Sequence, residues 1–295
     1  MKTKEQKALL KKCRHKAEIP VTIAAVILTV LSILLVVFLV SSLGKNQWAE
    51  EFLINNFEFE EADIQFALKC GKYLVIAIVA VLVLKLTWEL FKNAGIAMVE
   101  DVPVAESDYP EIFKEYREWC EKLGIKKTPK LFLATDKENL ESTGITIKSS
   151  RYLRMDLSAL DVRDMVEDDN VVRFEIIHEL AHIAYHHYSY PLLIATVVAR
   201  WLPFVKNVYS RIMCYSADKL VSEMIGKEEC ITVLLENFMV SAYDSEQREE
   251  YVKRLDRKLN TTEKISAVLN NLTTDTPAYL YRLKAIADDR DGRVI

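Results

Sequence analysis

The sequence predicts a mainly α-helical protein with a small β-sheet, tethered by two N-terminal transmembrane helices. Three observations carry this. From Ile19 to Gly44 no residue is charged, and Leu, Ile, Val and Ala dominate. A second apolar run, Tyr73 to Phe91, is interrupted only by Lys85 and Glu89. Beyond it the chain reads as capped helical segments around one short alternating stretch, Ser142 to Asp156, that has the period of paired strands.

Taken in order, residues 1–18 form a basic cytoplasmic N-terminus. Lys2, Lys4, Lys7, Lys11, Lys12, Arg14 and Lys16 outweigh Glu5 and Glu18 there. Residues 19–44 exceed the roughly 20 apolar residues that span a bilayer as a helix. The run is too long for a signal-peptide core, and no small-residue cleavage site follows it, so it reads as a retained anchor. Residues 45–72 form a short acidic loop, with Glu50, Glu51, Glu58, Glu60, Glu61 and Asp63 against Lys45, Lys69 and Lys72. Residues 73–91 are the second span. Lys85 and Glu89 lie one turn apart near one of its ends, where the lysine can snorkel and pair. Basic flanks stay cytoplasmic, so the N-terminus is expected inside, the loop outside and residues 92–295 inside. The expected location is a plasma or inner membrane, with the lipid bilayer as the first partner.

Composition narrows the rest. Among 295 residues the net charge is only −4. With no basic, aromatic-interleaved patch, nucleic acid is not an expected partner. Cys13, Cys70, Cys120, Cys214 and Cys230 are odd in number and scattered, which fits a reducing compartment rather than a disulfide framework.

In the soluble part, residues 93–107 contain Gly95, Pro103 and Ser107 and read as a linker. "SDYPEIFKEYREWCEKLG" predicts a helix capped by Ser107 or Asp108, with Pro110 in its first turn and Gly124 as its stop. Thr128 to Asp136 has the character of a buried strand, and Ile145–Ile147 is expected to pair with Tyr152–Met155 as a hairpin. A helix capped by Asp169 or Asn170 follows, then another over about Tyr209 to Ile225. The tail from Lys227 to about Asp288 is helical, with breaks near Asn260-Thr261 and Thr273–Pro277.

The first of these later helices carries "FEIIHELAHIAYHH", Phe174 to His187. His178 and His182 stand at i and i+4, on one face and about 6 Å apart, a spacing that suits two imidazoles on one zinc ion. Glu179 lies beside the first of them, where it can take a proton from a water whose pKa zinc lowers to about 7 and pass it to the leaving amine. Chance is a poor account, because four of the five histidines fall within this stretch. His186 lies about 12 Å along the axis from His178, too far to share an ion with it. Surface or supporting roles are expected for His186 and His187. A third ligand has to come from elsewhere.

Downstream the chain reads "SRIMCYSAD", Ser210 to Asp218. With both motifs in view, the sequence resembles the integral-membrane zinc metallopeptidases that include HtpX-like heat-shock proteases and the CaaX prenyl proteases. In that family a Ser-Arg-x-x-Glu-x-x-Ala-Asp run follows the His-Glu-x-x-His helix; its Glu is the third zinc ligand, and its Asp stands behind the ligands. Ser210, Arg211, Ala217 and Asp218 match, whereas Cys214 occupies the ligand position. "TPAYLYRLKAI" resembles the family's C-terminal element, with Thr276 in place of a His. The resemblance covers roughly residues 70 to 290.

The resemblance implies a zincin-like α+β catalytic domain holding one Zn2+ through His178, His182 and Cys214, with Asp218 and Arg211 behind them. Arg211, Cys214 and Asp218 share one i, i+3, i+7 stripe. Three readings of the departure stay open. Cys214 ligates as a thiolate at about 2.3 Å. Alternatively Asp218 or Glu223 takes over after a shift of about one helical turn, or the site is degraded and binds zinc weakly or not at all. The implied activity is a membrane-anchored zinc endopeptidase acting on peptide or protein substrates, in membrane protein quality control. The other reading is a catalytically impaired scaffold or regulator that holds partner peptides. The hairpin would offer an edge strand to an extended peptide. Ser189 to Phe204, with about 11 uncharged residues before Arg200, is too short for a two-span hairpin and reads as a buried or membrane-grazing helix.

Overall fold

The structure is a computed structural model that describes residues 2–42, 61–99, 102–107, 110–134, 145–149, 152–156, 170–238, 260–274 and 276–292. Among them the chain is mostly helical, with one small sheet. Helix α1 runs Lys4–Cys13 and α2 runs Glu18–Ser42. Within α2, Glu18–Phe38 is long and apolar enough to cross a membrane, and its Ile, Leu, Val and Phe side chains are largely exposed. Apolar side chains exposed along such a helix are what a lipid-facing surface requires, and they make it a candidate span.

Several boundaries differ from the sequence reading; the helix expected from about Tyr209 starts at Pro203. Helix α3 spans Glu61–Val99, so the acidic stretch assigned to a loop over 45–72 is already helical from Glu61, and the linker expected over 93–107 is helical as far as Val99. A single Gly95 costs only about 1 kcal/mol inside a helix, too little to end one. Residues 45–60 lie outside the described residues. After α3, Val102–Pro103 forms β1, which pairs antiparallel with β2, Lys130–Ala134. Pro103 is tolerated because β1 is an edge strand.

The sheet order is β1-β2-β4-β3, where β3 is Ile145–Ser149 and β4 is Tyr152–Asp156. The expected pairing forms, antiparallel with Ile145 opposite Met155 and an irregularity between Thr146 and Ser149. Strand β4 runs parallel to β2, which leaves β3 as the second edge. Helix α4, Pro110–Lys122, turns Tyr116, Trp119 and Cys120 inward, Leu123 just past its end continues the i, i+3, i+4, i+7 stripe, and the helix stops before Gly124, whose φ of +67° suits a residue without Cβ.

The remaining helices build the core. They are α5 (Asn170–Ala184), α6 (Tyr190–Ala195), α7 (Val197–Trp201), α8 (Pro203–Ile225), α9 (Lys227–Phe238), α10 (Thr261–Thr273) and α11 (Tyr279–Ala287). Phe174, Ile177, Leu180 and Ala181 of α5 pack with Ala217, Leu220 and Val221 of α8, Val233 and Leu234 of α9, and Leu283 and Ile286 of α11. Each large side chain so buried contributes roughly 1.5–3 kcal/mol. Helix α8 is the hub, touching α1, α2, α5, α7, α9, α10 and α11. Ser189 to Phe204 becomes the two short helices α6 and α7 and the start of α8; α6 and α7 lie against α2, and Ile194, Leu202 and Phe204 are exposed.

The N-terminus also departs from the sequence reading. Rather than a basic tail alone, it is a capped helix with a Thr3–Gln6 capping box, docked on the core through Leu10 and Cys13. Lys2 Nζ donates to Ala184 O at 2.6 Å, placing a cation at the C-terminal end of α5, and Tyr185 donates its hydroxyl to Leu10 O at 3.0 Å.

Candidate metal centre

Helix α5 places His178, Glu179 and His182 on the inner side of the domain because its other apolar residues anchor it in the core on both flanks. His178 and His182 are 6 % and 4 % exposed. Their Nε2 atoms face each other at 3.3 Å. Two imidazole nitrogens at about 2.0–2.1 Å from a tetrahedral zinc stand about 3.3–3.4 Å apart. Glu179 offers a carboxylate oxygen within 4.8 Å of a ligand atom on each histidine.

Behind each histidine stands a second contact. His178 Nδ1 lies 2.9 Å from Asp218 Oδ1, close but off the line of a straight hydrogen bond. Arg282 grips the same carboxylate from the other side, Nε at 2.8 Å and a terminal nitrogen at 2.7 Å. Burial alone would raise the Asp218 carboxyl, but Arg282 and His178 outweigh it and hold it well below the usual carboxylate range. His182 Nδ1 lies 2.8 Å from His187 Nδ1, and His187 Nε2 lies 3.1 Å from Glu18 Oε1, again bent.

The fold-back of His187 has a local cause. His187 N donates to His182 O at 3.0 Å and His186 N to Ile183 O at 3.0 Å, the paired bonds of a Schellman cap. His186 occupies the left-handed position at φ 63° and points outward, which returns the chain so that His187 slots under His182. The two neighbouring histidines are thus separated into one on the surface and one, 2 % exposed, at the site.

Counting protons along this array tests whether it suits a metal. From Asp218 through His178, His182 and His187 to Glu18 there are four contacts and three imidazoles. Burial pushes all three imidazoles down, His182 furthest, so each ring is neutral and carries one N–H. With carboxylates at both ends, His178 is assigned Nδ1–H toward Asp218 and His187 Nε2–H toward Glu18, and the one proton of His182 is assigned to Nδ1, at the shorter of its two ring contacts. The remaining contact, His178 Nε2 to His182 Nε2, then has two facing lone pairs and no proton. A cation is what such a pair holds. The donor set therefore fits zinc.

Neither a family model, nor a curated protein, nor a solved structure matches this chain.

The residues named from the sequence fall into three groups. His178, Glu179 and His182 come together. Cys214, 7 % exposed, joins His178 and Asp218 in a second group whose ligand atoms lie within 4.8 Å of one another, and its sulfur is 4.0 Å from Asp218 Oδ2. Burial, with the Asp218 charge beside it, pushes the thiol up, so that it is a neutral donor to that carboxylate. No group of this kind joins Cys214 with His182 among the described residues. The last two residues turn elsewhere. Glu223 is exposed and paired with Lys12 at 2.7 Å, which corrects its place as an alternative ligand. Arg211 donates to Thr274 O at 2.8 Å and ties α8 to the chain after α10.

The guanidinium on Asp218 is Arg282 instead. Its signal was present in the "TPAYLYRLKAI" stretch but could not be assigned a partner from spacing. Sequence reasoning also missed Glu175, 4 % exposed, one turn before His178. Burial raises its carboxyl to about 8, with Arg282 opposing and Asp218 assisting, and its Oε2 has no hydrogen-bond partner.

Proposed function

We propose that this protein is a membrane-anchored zinc-dependent endopeptidase of the kind its motifs resemble, with α2 and α3 crossing the bilayer and the domain from α4 onward on the cytoplasmic side. The observation that carries this reading is the pair of buried, neutral imidazoles whose Nε2 atoms face each other at 3.3 Å beside Glu179. His178 and His182 would hold the metal, and Cys214, as a thiolate with its proton released to solvent, would be the third protein ligand. Bound zinc supplies Lewis acidity, which polarises a carbonyl and makes a water nucleophilic near neutral pH. Glu179 accepts the proton of the attacking water and delivers it to the departing amine. Asp218 and His187 keep the two ligand rings in the orientation that leaves Nε2 for the metal.

Edge strand β3 packs against α5, so an extended peptide adding to that edge would lie alongside the ligand helix. Peptide or protein substrates, including membrane proteins reached from the cytoplasmic side, suit this arrangement.

The position of Cys214 favours a second reading, a scaffold that holds partner peptides without cleaving them. Its sulfur is turned to Asp218, and among the described residues no group of close ligand atoms joins it with His182. Two measurements separate these. Metal analysis of the detergent-purified protein should find one zinc, held weakly in Cys214→Ala; a zinc-free protein under metal-replete conditions refutes the enzyme reading. Peptide cleavage should be lost in Glu179→Gln while zinc is retained. Equal cleavage by both forms rules out Glu179 as the base, and no cleavage by the zinc-loaded wild type supports the scaffold.

A further inference from the structure

The first residue of the membrane-type helix is buried in the domain core. Glu18 opens α2 yet is only 5 % exposed. Its Oε1 lies 3.1 Å from His187 Nε2 and 3.1 Å from Arg14 Nε, and its Oε2 accepts from the Ser216 hydroxyl. The turn before it is tied down as well, with His15 N donating to Ser216 Oγ at 2.9 Å. A carboxylate removed from water next to an apolar span is costly unless its partners are worth the loss. Three partners from three segments meet it: Arg14 from the N-terminal turn, His187 behind the ligand helix and Ser216 from α8.

The consequence runs through His187. Its Nδ1 is 2.8 Å from His182 Nδ1, so the carboxylate of Glu18 fixes which nitrogen of His187 bears the proton and thereby which nitrogen of His182 does. Asp218 performs the equivalent task for His178 directly. The two ligands are thus oriented by two carboxylates of different origin, one from the core helix α8 and one from the membrane anchor.

We propose that Glu18 is a positioning residue for the metal ligand His182, acting through His187, so that metal affinity depends on the seating of the anchor helix against the domain. This rests on the reading of His178 and His182 as metal ligands. A ligand's outer partner is typically worth 10–100-fold in metal affinity.

The test uses the full-length protein in detergent, with zinc affinity measured by chelator competition and the ligand field read from the cobalt(II) absorption spectrum. Glu18→Gln keeps the shape and removes the charge; Ser216→Ala, a milder change, loosens the same carboxylate and frees His15 N without touching His178, His182 or His187. His182→Ala is the control for the site itself. The expected result is one zinc in the wild type, none held tightly in His182→Ala, and about 10–100-fold weaker binding in Glu18→Gln. Ser216→Ala should be smaller in effect, and the cobalt band of Glu18→Gln should shift. Chelator-stripped melting of Ser216→Ala near the wild type makes a weakened zinc affinity in that variant a positioning effect rather than misfolding. If the wild type binds zinc, His182→Ala does not, and both Glu18→Gln and Ser216→Ala match the wild type in affinity and spectrum, the inference fails while the metal reading stands. If His182→Ala binds zinc as the wild type does, the metal reading itself fails, and the inference with it.

Discussion

Replacing Arg282 by Met tests the electrostatics of the site most directly. Arg282 and Asp218 are 5 % and 1 % exposed, and two contacts at 2.7 and 2.8 Å join them. Removing one member of a buried, hydrogen-bonded ion pair costs about 3–5 kcal/mol, because the other charge stays behind unpaired. For a domain of this size about 1 kcal/mol moves Tm by roughly 2–4 °C, so the expected fall is on the order of 10 °C or more. The pH dependence adds a sign. In the wild type the Asp218 carboxyl is depressed, so its stabilisation is present above the ordinary carboxylate pKa and persists at pH 5. In Arg282→Met, burial is no longer opposed by the guanidinium and the carboxyl rises above its ordinary value. Protonation then relieves the cost as pH falls, and the gap between the two proteins narrows between pH 8 and pH 5. Melting curves of both proteins with metal removed, at several pH values, read this out. The double variant Arg282→Met/Asp218→Asn should recover part of the loss, since it leaves no orphaned charge. A loss under about 1 kcal/mol that does not change with pH, or strictly additive losses in the double variant, would refute this account of the pair.

Three further outcomes follow from particular side chains. His186→Gly should raise stability by about 0.5–1 kcal/mol, since the φ of 63° at this position costs any residue with a Cβ; an unchanged or lower Tm contradicts the Schellman cap. Glu175→Gln should stabilise the metal-free protein more at pH 8 than at pH 5. The folded carboxyl titrates at about 8 and the unfolded one near 4.5, so its penalty grows as pH rises through that window and reaches a few kcal/mol, and a gain independent of pH would show the carboxyl is not held neutral. Maleimide labelling of the native protein followed by peptide mass analysis should modify Cys70, which is exposed, well before Cys13, Cys120, Cys214 and Cys230, all buried; early labelling of Cys214 would place its thiol outside the core.

Much of the local architecture was legible because it depends on residues close in sequence. The helix carrying His178, Glu179 and His182, the hairpin pairing Ile145 with Met155, the stop at Gly124 and the apolar run of α2 are all set by period, capping and turn chemistry. The misjudged boundaries were those where a weak local signal lost to its surroundings. Gly95 did not end a helix flanked by good helix formers, and Pro103 joined a sheet because an edge strand asks nothing of its missing N–H. Residues 1–18 read as a charge signal, yet Leu10 and Cys13 give their helix a buried face.

What the sequence alone determined is the grouping of His178, Glu179 and His182, since residues at i, i+1 and i+4 of one helix have no freedom to lie far apart. The tertiary structure decided what stands behind them. That Arg282 rather than Arg211 meets Asp218, and that Glu18 reaches the site from α2, are contacts between segments far apart in the chain. Spacing carries no information about such contacts. They arise when several helices bury their apolar faces in a single core, and the few polar side chains caught inside must then satisfy one another.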